Sequence, residues 1–138
     1  NLYFFLFCYN MYRKILIAYD GSDHAKKAIQ HAVALAKAFG SALYVITIAT
    51  DPSQVSIERA RRIVDEAARQ ISSMGVSVAE TEVRSGNPPT EILNYAEERE
   101  VDLIVMGSRG LSAIQRLVLG SVSQTVVSRA RVPVLVVR

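Results

Sequence analysis

Residues 102–110 read Asp-Leu-Ile-Val-Met-Gly-Ser-Arg-Gly. The run from Leu103 to Met106 is entirely apolar and shows no alternation of polar and apolar side chains. Such a run is typical of a β-strand that is covered on both faces, as in the parallel sheets of α/β proteins. The segment from Val134 to Val137 has the same character. This stretch therefore favours a parallel sheet with helices on both faces.

The rest of the chain agrees with this fold class. From Arg13 onward, five short apolar segments alternate with four longer amphipathic ones, which predicts a parallel, Rossmann-like α/β sheet. We take its strand order to be 3-2-1-4-5. The five predicted strands are Lys14 to Tyr19, Ala42 to Ala49, Val76 to Val83, Asp102 to Met106 and Pro133 to Val137.

Helix signals lie between these strands. A first helix begins at the N-cap type residue Ser22 and ends at Gly40, and a second runs from about Ser53 to Met74. A third follows the prolines after Asn87, and a fourth runs from Ser121 to about Ala130. The apolar residues predicted to face the core are, in turn, Ala25, Ala28, Ile29, Ala32, Val33 and Ala36; Ala60, Ile63, Val64, Ala67 and Ile71; Ile92, Leu93 and Ala96; and Val122, Val126 and Val127.

Length and composition predict one globular domain with no nucleic-acid or membrane partner. The chain has 138 residues, half of them apolar, and a net charge of +3. Its basic residues are interleaved with acidic ones, as on a solvated helix face, for example Arg59, Arg61, Arg62 and Arg69 beside Glu58, Asp65 and Glu66. The single cysteine, Cys8, allows no internal disulfide and suits a reducing cytoplasm.

The first ten residues need a separate interpretation. Residues 2–9 are apolar and aromatic, but they follow no basic segment and are too short to span a bilayer. The opening Asn-Leu-Tyr-Phe resembles part of a tag-protease site, so we predict a tag remnant at 1–10 and the domain at 11–138. The alternative is an apolar arm that docks on a sheet edge or on a partner.

Three glycines at fixed offsets carry the main functional signal. Gly107 and Gly110 follow the fourth strand, and Gly120 with Ser121 opens the last helix after nine intervening residues. Glycines let the backbone approach a ligand closely, and free N–H groups at a helix N-terminus attract phosphate. In the order 3-2-1-4-5 this loop meets Asp20 at the end of the first strand, where sheets of this type bind ligands. Asp20 could contact a nucleoside or help to hold a divalent cation, or it could simply cap the turn.

At these residues the chain resembles the universal stress protein family, specifically its ATP-binding branch with the motif Gly-x2-Gly-x9-Gly-Ser/Thr. The resemblance runs from Met11 to Arg138. It implies an adenine nucleotide alpha hydrolase-like fold, ATP with Mg²⁺ as ligand, and a homodimer formed through the last strand, Val134 to Val137. Carried over, Asp20 would contact the nucleoside, the backbone of Ala18 and Ala49 would line the adenine slot, and Met106, Gly107, Arg109, Gly110, Gly120, Ser121, Val122 and Ser123 would surround the ribose and phosphates. Arg109 pairs with a phosphate in this interpretation, or else is a solvent-exposed loop residue.

No catalytic residue is predicted, and ATP hydrolysis is expected to be slow at most. The loop lacks the lysine of a Gly-x4-Gly-Lys-Ser/Thr motif, and His24 and His31 are interpreted as surface residues without a metal. A phosphoacceptor receiver domain is set aside because the third strand ends without its aspartate. Flavin binding and a nucleotide-independent homodimeric module of the same family remain as alternatives.

Overall fold

The computed structural model describes residues 1–110 and 119–138. Five strands form one sheet in the order β3-β2-β1-β4-β5, and every neighbouring pair is parallel. The fold class and the strand order predicted from the sequence are therefore confirmed. In chain order the elements are α1 (Leu2–Tyr9), β1 (Lys14–Ala18), α2 (Asp23–Phe39), β2 (Ala42–Ala49), α3 (Gln54–Ser73), β3 (Val78–Ser85), α4 (Pro88–Glu98), β4 (Leu103–Gly107), α5 (Ser121–Arg129) and β5 (Val134–Val137).

The sheet is covered on both faces, as its unbroken apolar strands predict. Ile15 and Ile17 of β1 pack with α2 and α3 on one face. Leu16 and Ala18, the alternating residues of the same strand, pack with α4 and α5 on the other. Because successive side chains of a strand point to opposite faces, one five-residue strand contributes to two cores.

Side-chain caps fix where three of the helices begin. Ser22, Ser53 and Asn87 each accept a hydrogen bond from a backbone N–H in the first turn of the helix that follows, at 3.2, 3.2 and 3.1 Å respectively. Gly40 ends α2 with a φ of 71°, in the left-handed region where glycine is favoured. These ends match the sequence prediction.

The third strand begins two residues later than predicted, at Val78 rather than Val76. The backbone N–H of Val76 is bonded to the carbonyl of Ile71 at 3.4 Å, so this residue still belongs to the cap of α3. The sequence shows that Val76 is apolar, but it does not show that the backbone N–H of this residue is already bonded to the preceding helix.

The inward face of α5 also differs from the prediction. Its buried residues are Ser123 and Val126, Val122 is only partly buried, and Val127 is 45% exposed. Val127 follows Val126 by one residue, a step of about 100° around a helix, which turns it away from the core. Ile63 and Leu93 are partly buried rather than fully enclosed.

Residues 2–9 form a helix that was not predicted from the sequence. The side chains of Leu2, Tyr3, Phe4 and Leu6 are exposed in the single chain, and both interpretations of residues 1–10 stay predictions. Among the helices that the structure describes, none is long and apolar enough to cross a membrane.

Candidate functional site

The carboxyl ends of β1 and β4 lie side by side in the middle of the sheet, since Ala18 pairs with Met106. The chain continues from β1 to α2 on one face, whereas α5, which follows β4, packs on the other. Open α/β sheets bind their ligands where neighbouring connections diverge in this way. Residues 19–22 and 107–110 therefore border the candidate site.

Asp20 and Gly110 lie close together across this crevice. A Cβ atom at Gly110 would lie 2.6 Å from Oδ2 of Asp20, closer than non-bonded atoms approach. The other oxygen, Oδ1, accepts a 3.0 Å hydrogen bond from the N–H of Ser22, which is the local turn role of an aspartate here. The carboxylate thus caps the turn with one oxygen and presents the other to the glycine loop, and the predicted meeting of these two segments is confirmed.

Gly107 is required by packing against α2. A Cβ atom at this position would lie 2.8 Å from the backbone N of Ala25 and 2.8 Å from the backbone C of His24. Real Cβ atoms do not come so close to main-chain atoms, so a larger residue would push β4 and α2 apart. This glycine brings the end of β4 onto the first turn of α2.

The N-terminus of α5 is bound to the same loop through the Ser108 carbonyl. That oxygen accepts hydrogen bonds from the N–H of Gly120 at 2.6 Å and from Oγ of Ser123 at 2.7 Å. These two donors are therefore engaged within the protein, and Ser123 is buried. What the first turn can offer to a ligand is the backbone N–H groups of residues 121–123 and the exposed Ser121 side chain. Unlike α2, α3 and α4, α5 has no side-chain cap over these groups.

The predicted adenine-slot residues lie at the strand ends but are buried. Ala18 and Ala49 are 9% and 3% exposed, and Met106, which was predicted to lie beside the ribose and phosphates, is 5% exposed. Ala18 pairs with Ile46, and β2 continues three residues further to Ala49. The longer β2 thus forms a wall beyond the end of β1.

Tyr19 stands between this wall and Asp20. Its carbonyl accepts a 2.8 Å hydrogen bond from Oγ1 of Thr47, which ties the end of β1 to β2. Burial, together with the neighbouring Glu66 carboxylate, raises the pKa of Tyr19 to about 12. Its phenol is therefore neutral at physiological pH and does not act as a base there.

His24 lies beside the candidate site and contacts two residues of the glycine loop, although the sequence pattern placed it on the surface. Its Nδ1 lies 2.6 Å from Oγ of Ser108, and its Nε2 lies 3.2 Å from Nη2 of Arg109. The interpretation of His24 as a surface histidine is wrong because Gly107 draws the loop onto the helix turn that carries it. The interpretation is correct for His31, which is exposed.

Arg109 is accordingly a half-buried residue with a bonded side chain, and the alternative of a solvent-exposed loop arginine is wrong. Among residues 1–110 and 119–138, no group of three or more His, Cys, Asp or Glu side chains could hold a metal ion. Most of the nine-residue spacer of the glycine motif, residues 111–118, lies outside the described residues.

Comparisons with known proteins identify the family of this chain. A profile of the universal stress protein family matches residues 11–138. A universal stress protein of Methanocaldococcus jannaschii is 37% identical over 143 residues, an alignment that covers 94% of this chain and 84% of the relative.

Two similar solved structures contain nucleotides. One is a universal stress protein in complex with cAMP, with 27% identity, a TM-score of 0.77 and coverage of 92% of this chain and 97% of the other. The second is the universal stress protein of Archaeoglobus fulgidus in complex with dAMP, with 26% identity, a TM-score of 0.77 and coverage of 93% and 99%. Because the family profile matches residues 11–138 and the parallel sheet agrees with it, this chain belongs to the universal stress protein family.

Proposed function

We propose that this chain binds an adenine nucleotide, ATP with Mg²⁺, in the crevice between the ends of β1 and β4. The observation that carries the proposal is the position of the Asp20 carboxylate, whose Oδ2 faces Gly110 across the crevice. A carboxylate accepts hydrogen bonds from ribose hydroxyls or from an adenine amino group. The complexes of two similar proteins with cAMP and dAMP support an adenine nucleotide as the ligand class.

The phosphates would lie against the glycine loop and the first turn of α5. The uncapped N–H groups of residues 121–123 stand at the positive end of the helix dipole, where anions are stabilised. Mg²⁺ commonly binds through phosphate oxygens, water and one or two carboxylates, and Asp20 is the carboxylate beside the loop. Bound Mg²⁺ would supply charge neutralisation for the phosphates, and Asp20 with the glycine loop would hold the nucleotide that carries it.

The chain would hold ATP rather than turn it over rapidly. Its sequence has no Gly-x4-Gly-Lys-Ser/Thr motif, so no lysine is positioned by such a loop on a terminal phosphate. Both ring nitrogens of His24 lie within hydrogen-bond distance of protein groups, so this histidine is not presented as a base for water. We therefore propose a cytoplasmic stress-response or signalling module with at most slow ATP hydrolysis.

The proposal includes a homodimer formed through β5, an edge strand of the sheet. The carbonyl of Pro133 accepts a 3.0 Å hydrogen bond from the N–H of Ile104 in β4, and the carbonyl of Val137 accepts a 2.7 Å bond from the N–H of Ser108, the residue after β4. Because main-chain groups alternate in direction along a strand, Val134 and Val136 turn their N–H and C=O groups toward the open side. An apolar edge of this kind can pair with a second copy across a two-fold axis.

A nucleotide-independent homodimeric module of the same fold is the alternative function. Calorimetric titration of the purified protein with ATP and MgCl₂ separates the two, because only the first function predicts heat of binding. We expect Asp20→Asn to weaken ATP binding about tenfold or more, since it removes a charged acceptor while keeping an oxygen for the Ser22 N–H.

Asp51→Asn is the matched control for this experiment. Asp51 follows β2 as Asp20 follows β1, and its Oδ1 accepts a 2.8 Å hydrogen bond from the N–H of Ser53 in the same kind of turn. Its second oxygen accepts from Ser56 within the same loop and helix. Equal affinity for ATP in wild type and Asp20→Asn would contradict the proposed site.

A further inference from the structure

We infer that His24 is a positioning residue that holds the guanidinium of Arg109 ready for the phosphates of the bound nucleotide. This inference rests on the proposed function for its ligand, whereas the contact itself is a property of the protein alone. It gives a role to a histidine that lies outside the glycine motif, on a different element.

Arg109 is held at both its main chain and its side chain by the first turn of α2. Oγ of Ser22 donates a 3.3 Å hydrogen bond to the carbonyl of Arg109, and Nη2 of Arg109 lies 3.2 Å from Nε2 of His24. Ser22 also caps α2 by accepting from the N–H of Ala25. The first turn of α2 thus fixes both the main chain and the guanidinium of Arg109. Less conformational entropy is then lost when this long side chain contacts a ligand.

The chemistry of the contact defines the protonation state of His24. A guanidinium has only donors and does not deprotonate in proteins, so Nε2 must be the acceptor. The imidazole is then neutral with its proton on Nδ1, and Nδ1–H donates to Oγ of Ser108 across 2.6 Å. Oγ of Ser108, which is fully buried, can accept this hydrogen bond, so it is compatible with the tautomer that the Arg109 contact requires.

Close packing makes this arrangement possible. Gly107 places the end of β4 against His24 and Ala25, and the next two residues along the chain are the two partners of the imidazole. On the far side of Arg109, Gly110 lies beside Asp20. The residue that carries the guanidinium therefore lies between Ser108, which contacts His24, and Gly110, which borders the crevice in which the proposal puts the phosphates.

The test compares ATP with adenosine, which lacks phosphates. The quantity measured by calorimetry is the ratio of the two dissociation constants, Kd for adenosine over Kd for Mg·ATP, in wild type, His24→Leu, Arg109→Gln and the double variant. We expect His24→Leu and Arg109→Gln each to lower this ratio about tenfold, with adenosine affinity unchanged. The double variant should lower it no further than the single ones, because both act through one contact.

His31→Leu is the control, since His31 lies on the exposed side of the same helix. An unchanged ratio in His24→Leu, an equal loss of ATP and adenosine affinity, or additive losses in the double variant would each overturn the inference. If wild type binds neither ligand, the proposed function fails instead.

Imidazole ¹⁵N spectra of the wild-type protein test the contact without a nucleotide and without a variant. The inference predicts a neutral His24 ring with the proton on Nδ1 at neutral pH, whereas His31 serves as the exposed reference. A proton on Nε2, or on both nitrogens, would overturn the role of His24 even if ATP binds.

Discussion

At the scale of single residues, Gly107 and Gly110 exclude a larger side chain for different reasons. Gly107 faces main-chain atoms of α2 at 2.8 Å, whereas Gly110 faces the end of the Asp20 side chain. Neither has a positive φ that would itself exclude other residues. The spacing of the motif thus combines one position that fold packing demands with one that borders the crevice.

This difference predicts opposite outcomes for two alanine variants. Gly107→Ala should lower the free energy of unfolding by about 1–3 kcal/mol, because a helix backbone must shift to admit the methyl group. Gly110→Ala should leave that free energy nearly unchanged, because the Asp20 side chain can rotate away, but it should weaken ATP binding. Denaturant unfolding and calorimetry measure the two effects. Equal destabilisation of both variants would contradict the distinction.

Only part of the candidate site could be predicted from the sequence. Asp20 and the glycine loop could be paired from the sequence, because the strand order brings their strands together. His24 could not, because its role depends on how closely a helix turn approaches a strand end. The sequence also did not show that the N–H of Gly120 is already bonded to Ser108 and so is not offered to phosphate.

At the scale of elements, β3 is an edge strand of the sheet and is joined to α4 by ion pairs. Arg99 donates two 2.8 Å hydrogen bonds to the Glu80 carboxylate. Arg84 pairs with Glu98, and both guanidinium groups lie 5.1 Å from the ring centroid of the buried Tyr95. Hydrogen bonds from Arg99 lower the pKa of Glu80 below its ordinary range.

The lowered pKa predicts how the stability contribution of Glu80 depends on pH. Its ion pair stabilises the fold fully above the ordinary glutamate pKa of about 4.3, and the contribution is lost as the pH falls through the lower folded-state value. Glu80→Gln should therefore cost about 1 kcal/mol or less at pH 7, since the pair is about one-third exposed. Near pH 3 the variant and wild type should unfold at closer temperatures. A difference that grows on acidification would contradict this account.

The bounds of most elements followed from side-chain patterns, whereas those of β3 and the inner face of α5 did not. Caps such as Ser22 and Gly40 mark helix ends because their chemistry is local. The start of β3 depended on a main-chain bond between Val76 and Ile71, which has no sequence signature. The nine-residue α5 is too short for its apolar residues alone to show which face is buried.

At the scale of the whole molecule, the two edges of the sheet differ. β3 is long and carries charged side chains, which oppose pairing with another sheet, whereas β5 is short and apolar. Only Val137 of β5 is buried within the single chain. This contrast supports β5 as the strand through which two copies would associate.

Val136→Pro tests the proposed dimer without breaking the sheet. The N–H of Val136 points away from β4, so proline removes a donor at the open edge but none from the β4–β5 ladder. We expect Val136→Pro to elute as a monomer in size-exclusion chromatography with light scattering, and Val136→Thr, which keeps the N–H, to remain dimeric. A dimeric, folded proline variant would contradict association through this strand.

The central claim is that an adenine nucleotide binds where β1 and β4 end, against the glycine loop. Backbone amide NMR during titration of the ¹⁵N-labelled protein with Mg·ATP tests it most directly. The account predicts saturable shifts that are largest at Asp20, Gly107, Gly110 and residues 120–123. The absence of shifts at saturating ATP, or shifts confined to the opposite end of the sheet, would contradict it.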